Sequence, residues 1–327
     1  MASTKTQILT LLSDGALHSG TDLGRCLGIS RSAVHKHIAA LNAKGLSIRR
    51  VPGRGYQVAG GLRLLDRDRI QMLVAAAACP VVIEVVEEIS STNSYLNQKP
   101  PPPGVAQVCI AEHQYTGRGR RGRSWVTSPY RNLMLSLAWS FPTWPAALTT
   151  LSLCAAVAAA HAVERFTPGQ LALKWPNDLV WGDRKLGGLL IELEGEAGGA
   201  CAAVVGLGLN VELGGTEAAA IDQPWTDLCT IIGGPLDRNV LAAACVEELT
   251  AMLWRFPDSG FAHDRVDWDR RDGLAGRSVR VITEGGEILG DARGVDEYGR
   301  LIIVDARGAL HRLISGEVSV RTVHTAR

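Results

Sequence analysis

Between Gly117 and Arg123 the chain reads GRGRRGR, three glycines and four arginines in seven residues. Glycines expose backbone N–H groups and accept positive φ, so such a loop can wrap an anion. Arginines add fixed charge and paired donors shaped for carboxylate or phosphate. The first six residues fit G-x-G-x-x-G, yet the dinucleotide reading fails. That loop opens a helix whose N-terminus receives a pyrophosphate, and it needs an acid roughly 20 residues on. Here RSWVTSPYRN follows, with Pro129 in it, and residues 135–141 read LSLAWSF without an acid. No G-K-[ST] is present, so a P-loop is excluded as well. Two uses remain on composition. One is a clasp for a small anion, loose until the anion arrives because four like charges repel. The other is a solvated basic loop that lies on nucleic acid.

Other stretches gather polar groups. SSTNSYL, Ser90 to Leu96, sets hydroxyls and an amide ahead of a helix. LKWPNDLVWGDRKLGGLLIE places Asp178 and Lys185 around a hairpin; on spacing alone these are a turn acid and a turn lysine. Trp225 could cover a base, although a lone Trp is more often core. Seven cysteines, an odd number with no C-x-x-C, read as free thiols in a reducing cytoplasm and argue against zinc. No apolar run reaches the roughly 18 residues of a membrane span. MASTKTQ lacks the basic-then-apolar pattern of a secretion signal.

The elements that carry these groups fall into parts. A chain of 327 residues that is 46% apolar suggests two or three domains with real cores. Residues 1–60 hold eight Lys/Arg against two acids, while the whole chain is near neutral at +1. A basic head on a mildly acidic body suits a module that touches phosphate. The head reads as three short helices: Thr6 to Leu12, one from Ser19 or Gly20 through Leu27, and one capped by Ser30 that buries Val34, Ile38 and Leu41. SIRRVPGRGYQV then predicts two strands around a Pro-Gly tip, a basic wing. Two helices across a Gly turn, the second polar and basic, match helix-turn-helix geometry. Ser30, Arg31, Ser32, His35, Lys36, Arg49 and Arg54 are the side chains placed to meet DNA; the bland alternative is a small helical cap with solvated charges. Beyond Gly60-Gly61, Arg63 to Ala78 reads as a linker helix. VVIEVVEEI, VAQVCIAEHQ, NLMLSLAWSF and CAAVVGLGL read as strands, KPPPPG as an exposed stiff loop, Leu148 to Phe166 and Asn239 to Phe256 as helices, and the Lys185 region as two strands around Gly182-Asp183. From Arg277 short strands with Gly turns predict a small β-barrel or sandwich.

Together these segments resemble the biotin–protein ligases, in the same order along nearly the whole chain. SSTNSYL resembles that family's serine-threonine-asparagine turn, AEHQYTGRGRRGRSW its glutamine strand and adenylate loop, and LKWPNDLVWGDRKLGGLLIE its Lys-Trp-Pro-Asn-Asp hairpin. GLGLNV and QPW resemble its nucleotide-side segments, and ISGEVSVR its closing barrel strand. The head resembles that of the bifunctional members, the biotin operon repressors. Ser124 departs from the basic residue of some relatives, and VELGGTEAAAIDQPW differs freely in texture.

The resemblance implies an α+β chain: residues 1–62 a winged helix-turn-helix, 63–272 a mixed-sheet catalytic domain like the class II aminoacyl-tRNA synthetases, and 273–327 an SH3-like β-barrel. It implies that biotin and ATP give biotinyl-5′-AMP and pyrophosphate, with Mg²⁺, and that a lysine of the biotin carboxyl carrier protein of acetyl-CoA carboxylase takes the biotinyl group. The adenylate would promote a homodimer that represses biotin synthesis genes at their operator. Carried over by position, Ser91, Thr92, Asn93 and Gln114 would hold the biotin head, and Arg118, Gly119 and Arg120 the carboxylate–phosphate junction. Lys185 would act there as a point charge, with Gly187 and Gly188 leaving room for the tail. Arg121, Arg123, Trp125, Asn177, Asn210 and Trp225 would face the nucleotide, and Asp178 would help the metal. Set against this are a non-catalytic biotin-sensing DNA-binding regulator and a lipoate–protein ligase, which lacks both head and Gly/Arg loop.

Overall fold

The computed structural model describes residues 3–74, 77–196, 198–214, 219, 221–283, 286–314 and 319–322. The basic head contains α1 (Thr4–Leu12), α2 (Gly20–Leu27), α3 (Arg31–Asn42), β1 (Ile48–Val51) and β2 (Gly55–Val58). Ser19 and Ser30 cap α2 and α3 by accepting from the Asp22 and Ala33 amides, each worth about 1 kcal/mol. Gly28 between them is left-handed, with φ of 66°, which lets α2 stop short and α3 turn away. Ile8, Leu12, Leu23, Val34, Ile38, Leu41 and Tyr56 form one core beneath the wing hairpin.

The body begins with α4 (Arg67–Leu73), shorter than the helix expected over 63–78. Asp66 caps its start, and residues 75–76 of that stretch lie outside the described ones. It is no linker: Ile70 is fully buried in the central core. Arg67 and Gln71 donate to the carbonyls of Ile83 and Val81 on an edge strand, so α4 covers that edge. Then follow β3 (Val81–Ile89), α5 (Thr92–Leu96), β4 (Ala106–Gln114), β5 (Leu133–Phe141), α6 (Leu151–Glu164), β6 (Ala172–Lys174), β7 (Asp178–Trp181), β8 (Arg184–Gly195), β9 (Cys201–Leu209), α7 (Leu228–Ile232), α8 (Arg238–Ser259) and α9 (Arg265–Arg271). In the proline loop, Pro101 is buried rather than exposed, and its carbonyl accepts from Ser140.

Seven strands pair in the order β3-β4-β5-β9-β8-β7-β6, parallel only between β3 and β4. The Lys185 hairpin has three strands, not two. Pro176, with no N–H to donate, lies in the turn that joins β6 to β7, and those two strands pair antiparallel from Ala172–Val180 to Lys174–Asp178. Strand period 2 sorts the sheet's faces. Leu133, Leu135 and Leu137 of β5 and Val205, Leu207 and Leu209 of β9 pack in the large core with α6 and α8. Met134, Ser136, Gly206 and Gly208 lie on the opposite face.

The tail is an antiparallel sheet ordered β13-β12-β11-β10-β14, from β10 (Ser278–Thr283), β11 (Gly286–Val295), β12 (Leu301–Asp305), β13 (Leu310–Leu313) and β14 (Ser319–Thr322). Val279, Val281, Leu301 and Ile303 join the central core. Residues 315–318 of the ISGEVSVR stretch lie outside the described residues.

Head and body meet at a seam. Tyr130, from the connection between β4 and β5, packs into the head's core at 2% exposure. Its φ is 62°, a rare conformation for a bulky side chain. Its hydroxyl donates to Glu87 at 3.1 Å, and Glu87 also accepts from Ser3 at 2.7 Å and Thr6 at 2.6 Å. Lys44 pairs with Glu88 beside them. Among the described residues no helix is long and apolar enough to cross a membrane.

Candidate functional site

A cavity of about 800 Å³ opens on the sheet face away from α6 and α8, within the size range of ligand sites. Its floor follows from the alternation in GLGLN: the leucines point into the core, and the glycines leave bare strand beneath the ligand space. A Cβ on Gly206 would strike the Asn93 amide, and one on Gly208 would lie 2.7 Å from the Trp125 ring. Trp125 is thus seated on β9, with its indole N–H buried and without a partner among the described residues.

At one end the Ser-Thr-Asn turn caps α5. Ser91 accepts from the Ser94 amide. The Thr92 amide and hydroxyl both donate to Gln114 Oε1, at 2.7 and 2.9 Å. Ser136 Oγ lies 2.6 Å from the Thr92 hydroxyl and donates to Asn93 Oδ1 at 2.5 Å. Ser91, Thr92, Asn93 and Ser136 are all buried, so this wall is organised before any ligand arrives.

The Gly/Arg loop folds as a tight turn. The Gly119 amide donates to the Arg123 carbonyl at 2.6 Å, and the Trp125 amide to the Gly117 carbonyl at 2.8 Å. Arg121 and Gly122 take positive φ of 57° and 72°. The arginines spread rather than cluster. Arg118 donates to Ser94 at 2.8 Å and Glu192 at 3.0 Å. Arg120 reaches Asn177 at 3.4 Å. Burial pushes the Arg120 guanidinium below its ordinary pKa; Asp178 opposes that, and Arg121 and Arg123 reinforce it. An added anion would offset both the desolvation and the repulsion by its opposite charge.

At the other end Lys185 Nζ lies 2.7 Å from Asp178 and 5.4 Å from the Trp125 ring centroid. The Lys185 backbone pairs with the segment around Trp225: its amide donates to Pro224 and its carbonyl accepts from Thr226, both at 2.9 Å. Asn210 is buried and donates to the Thr226 carbonyl at 3.1 Å, tying that segment down. Asn177 bonds the Leu189 carbonyl and supports β8.

All ligand-side candidates named from the sequence line this cavity, except Gly187. That glycine was expected to clear the ligand's tail. A Cβ there would instead meet the Leu209 side chain at 2.6 Å and the Gly208 carbonyl at 2.8 Å, so it serves strand packing. Gly188 does border the cavity, where a Cβ would stand 3.1 Å from Asp178. Sequence reasoning passed over Ser136 and Glu192. A single hydroxyl in the apolar run LMLSLAW was the available signal for Ser136; Glu192 carried none.

On the head, Arg31, Ser32, His35, Lys36, Arg49 and Arg54 are exposed. Ser30 is occupied in capping the Ala33 amide and lies 2.9 Å from the Ser32 hydroxyl. His35 leans on the wing, 3.2 Å from the Tyr56 hydroxyl.

Residues 85–210 match the biotin/lipoate A/B protein ligase family, residues 4–57 an HTH domain, and residues 275–321 the biotin protein ligase C-terminal domain. The chain is similar to the bifunctional ligase/repressor BirA of Salmonella typhimurium, 38% identical over 96% of this chain and 97% of that one. The Escherichia coli protein of the same name is 37% identical over 97% of each. Among solved structures, biotin protein ligase from Aquifex aeolicus in complex with biotin and ATP superposes with a TM-score of 0.63, at 27% identity over 74% of this chain and 99% of that one.

Proposed function

We infer how the site works from one premise: the chain belongs to the biotin protein ligases, among the bifunctional ligase/repressors. It is a biotin ligase, with biotin and ATP as substrates, and a repressor with a helix-turn-helix head. We propose that both substrates bind and react in the cavity on the open face of the sheet.

The observation that carries it is the continuous cavity from the bonded Thr92–Gln114–Ser136 wall to the Lys185–Asp178 pair. The polar wall recognises the ureido ring of biotin. The valeryl chain crosses the bare floor of Gly206 and Gly208, and the carboxylate emerges near Arg120 and Lys185. There it attacks the α-phosphate of ATP; a C–O–P link forms and pyrophosphate leaves. Water opposes the meeting of two anions, and fixed cations in a partly dry site offset that repulsion. Arg121, Arg123 and Trp225 face the nucleotide; Asn177 and Asn210 hold the strands that present it. The acceptor amine then takes the acyl group and AMP departs. The acceptor is the biotin carboxyl carrier protein of acetyl-CoA carboxylase.

Mg²⁺ fits only as a cation held mainly by phosphate oxygens, since no group of three acidic, His or Cys ligands exists among the described residues. Asp178, paired with Lys185, would be the carboxylate to join it, and the ion would neutralise charge on the leaving pyrophosphate.

Boundaries after residues 62 and 272 divide head, ligase body and tail. For repression, two heads bind a two-fold operator of biotin genes. The homodimer is promoted by biotinyl-5′-AMP. β8 supports this assembly: β7 pairs with it only from Arg184 to Gly188, so Leu190 to Gly195 form an edge open to a second copy.

Incubation of the chain with ATP, biotin and a carrier domain should give a biotinylated carrier. Neither adenylate nor transfer would leave only a biotin-sensing regulator. Gel shifts with and without biotin plus ATP test the assembly: operator binding should tighten with the adenylate.

A further inference from the structure

We propose that Glu192 is a positioning residue of the ligase reaction: its carboxylate fastens the Gly/Arg loop and the Ser-Thr-Asn turn to each other, and Arg118 serves this joint rather than the reacting atoms. The proposal rests on the ligase reading above and adds a member to its site.

Glu192 lies on the cavity face of β8, in register with Val204 and two residues beyond Leu190. One oxygen, Oε1, accepts from Arg118 Nη2 at 3.0 Å. The other, Oε2, accepts from Asn93 Nδ2 at 2.9 Å and Asn97 Nδ2 at 3.2 Å. Arg118 Nη2 donates in addition to Ser94 Oγ at 2.8 Å. One carboxylate thus joins three segments far apart in sequence: the loop, the first turn of α5, and the sheet.

The consequence reaches the cavity wall through Asn93. With its Nδ2 held by Glu192 and the Leu190 carbonyl, its Oδ1 must face Ser136, which donates to it at 2.5 Å. Ser136 meets Thr92, and Thr92 meets Gln114. Glu192 therefore stands at the outer end of a hydrogen-bonded chain whose inner end is the biotin wall. Such chains polarise one another and set a single orientation for each amide. The same carboxylate cannot be a ligand group, since it would repel both the biotin carboxylate and phosphate; Arg118 neutralises it. The guanidinium so engaged is turned to Ser94 and Glu192, while Arg120 and Lys185 remain at the junction. An isolated, part-exposed ion pair contributes little. This one is tied to the buried Asn93 amide and the half-buried Asn97 amide and fastens a loop that lines the cavity, so its effect should appear in retention of bound ligand.

The test is a double-mutant cycle on the full-length chain: Glu192→Gln, Arg118→Ala and the pair together. Biotin affinity is read by calorimetry without ATP. Loss of preformed biotinyl-adenylate is read without acceptor, and KM for biotin and kcat for pyrophosphate release are read separately. Thermal melts check folding. Each single change should weaken biotin binding and speed adenylate loss by about fivefold, the factor matching ~1 kcal/mol, with KM moving more than kcat. The double variant should be no worse than the poorer single one, and Glu192→Asp should recover part of the retention. Biotin affinity and adenylate lifetime equal to the parent in folded Glu192→Gln, or single effects that multiply in the double variant, would overturn the proposal. A parent chain that binds biotin but forms no adenylate would defeat the ligase reading instead; the calorimetric cycle would still decide the role of Glu192.

Discussion

The ligand cavity and the DNA-facing side of the head use polar residues in opposite ways. At the cavity several polar side chains are already bonded to one another: Thr92 to Gln114, Ser136 to Asn93, Lys185 to Asp178, Arg118 to Glu192. On the head Arg31, Lys36, Arg49 and Arg54 stand exposed, without an acidic partner among the described residues. The difference follows from what each must hold. A small ligand with few polar atoms is bound well only if its partners are fixed beforehand, so that little ordering remains. A polyanion with a regular charge lattice is met by mobile cations that displace its counterions. Cavity variants should therefore act on geometry and rate, and head variants on charge and salt dependence.

The largest effect should come from Lys185→Ala. Removing a fixed charge from a developing phosphoryl transition state typically costs about 10²–10³ in rate. Pyrophosphate release at saturating biotin and ATP measures it, and an unchanged rate would contradict the role given to this lysine. DNA affinity without ligand should not move.

Gly208→Ala comes next. The added methyl would press on the Trp125 ring from 2.7 Å, and such overpacking costs about 1–3 kcal/mol. The KM for biotin should rise by about tenfold, with the head's binding to nonspecific DNA unchanged. A weaker head with an intact cavity would break the contrast between the two regions.

Lys36→Ala and Arg54→Ala should each loosen DNA binding and reduce the slope of log affinity against log salt by about 1. Adenylation should proceed as in the parent. A salt titration of gel shifts reads the first, and pyrophosphate release the second.

The smallest effect concerns the seam. Burial raises the Glu87 pKa, but hydroxyl donation from Thr6, Ser3 and Tyr130 outweighs it and holds the carboxyl below its ordinary 4.5. A depressed pKa contributes stability that is present above the ordinary value and lost as pH falls through the folded value. Acidification through that window should expose the head–body seam to limited proteolysis before the body unfolds. Glu87→Gln should remove this pH dependence.

Much of this was legible in the chain. The head's turns and caps are local chemistry: Ser19, Gly28 and Ser30 act on neighbours within four residues. The core strands showed as apolar runs. The cavity's membership came from motif resemblance, since no spacing rule brings Thr92, Gln114 and Lys185 together. What stayed hidden depends on sheet order. Glu192 looks like any acid at a strand end until β8 and α5 share a face. Gly187 and Gly188 look equivalent until the period-2 alternation puts one in the packing and the other at the cavity. The linker reading of residues 63–78 failed because nothing local distinguishes a helix between domains from one that covers a sheet edge.

Tyr130 has a last consequence. Because a body residue fills the hollow beneath the three head helices, the two portions are not separable at Gly60-Gly61 without loss. A severed head would lose the phenol and bare the oily surface that it covers. Anyone transplanting this DNA reader onto another scaffold must bring the tyrosine with it, or plug the hole by design.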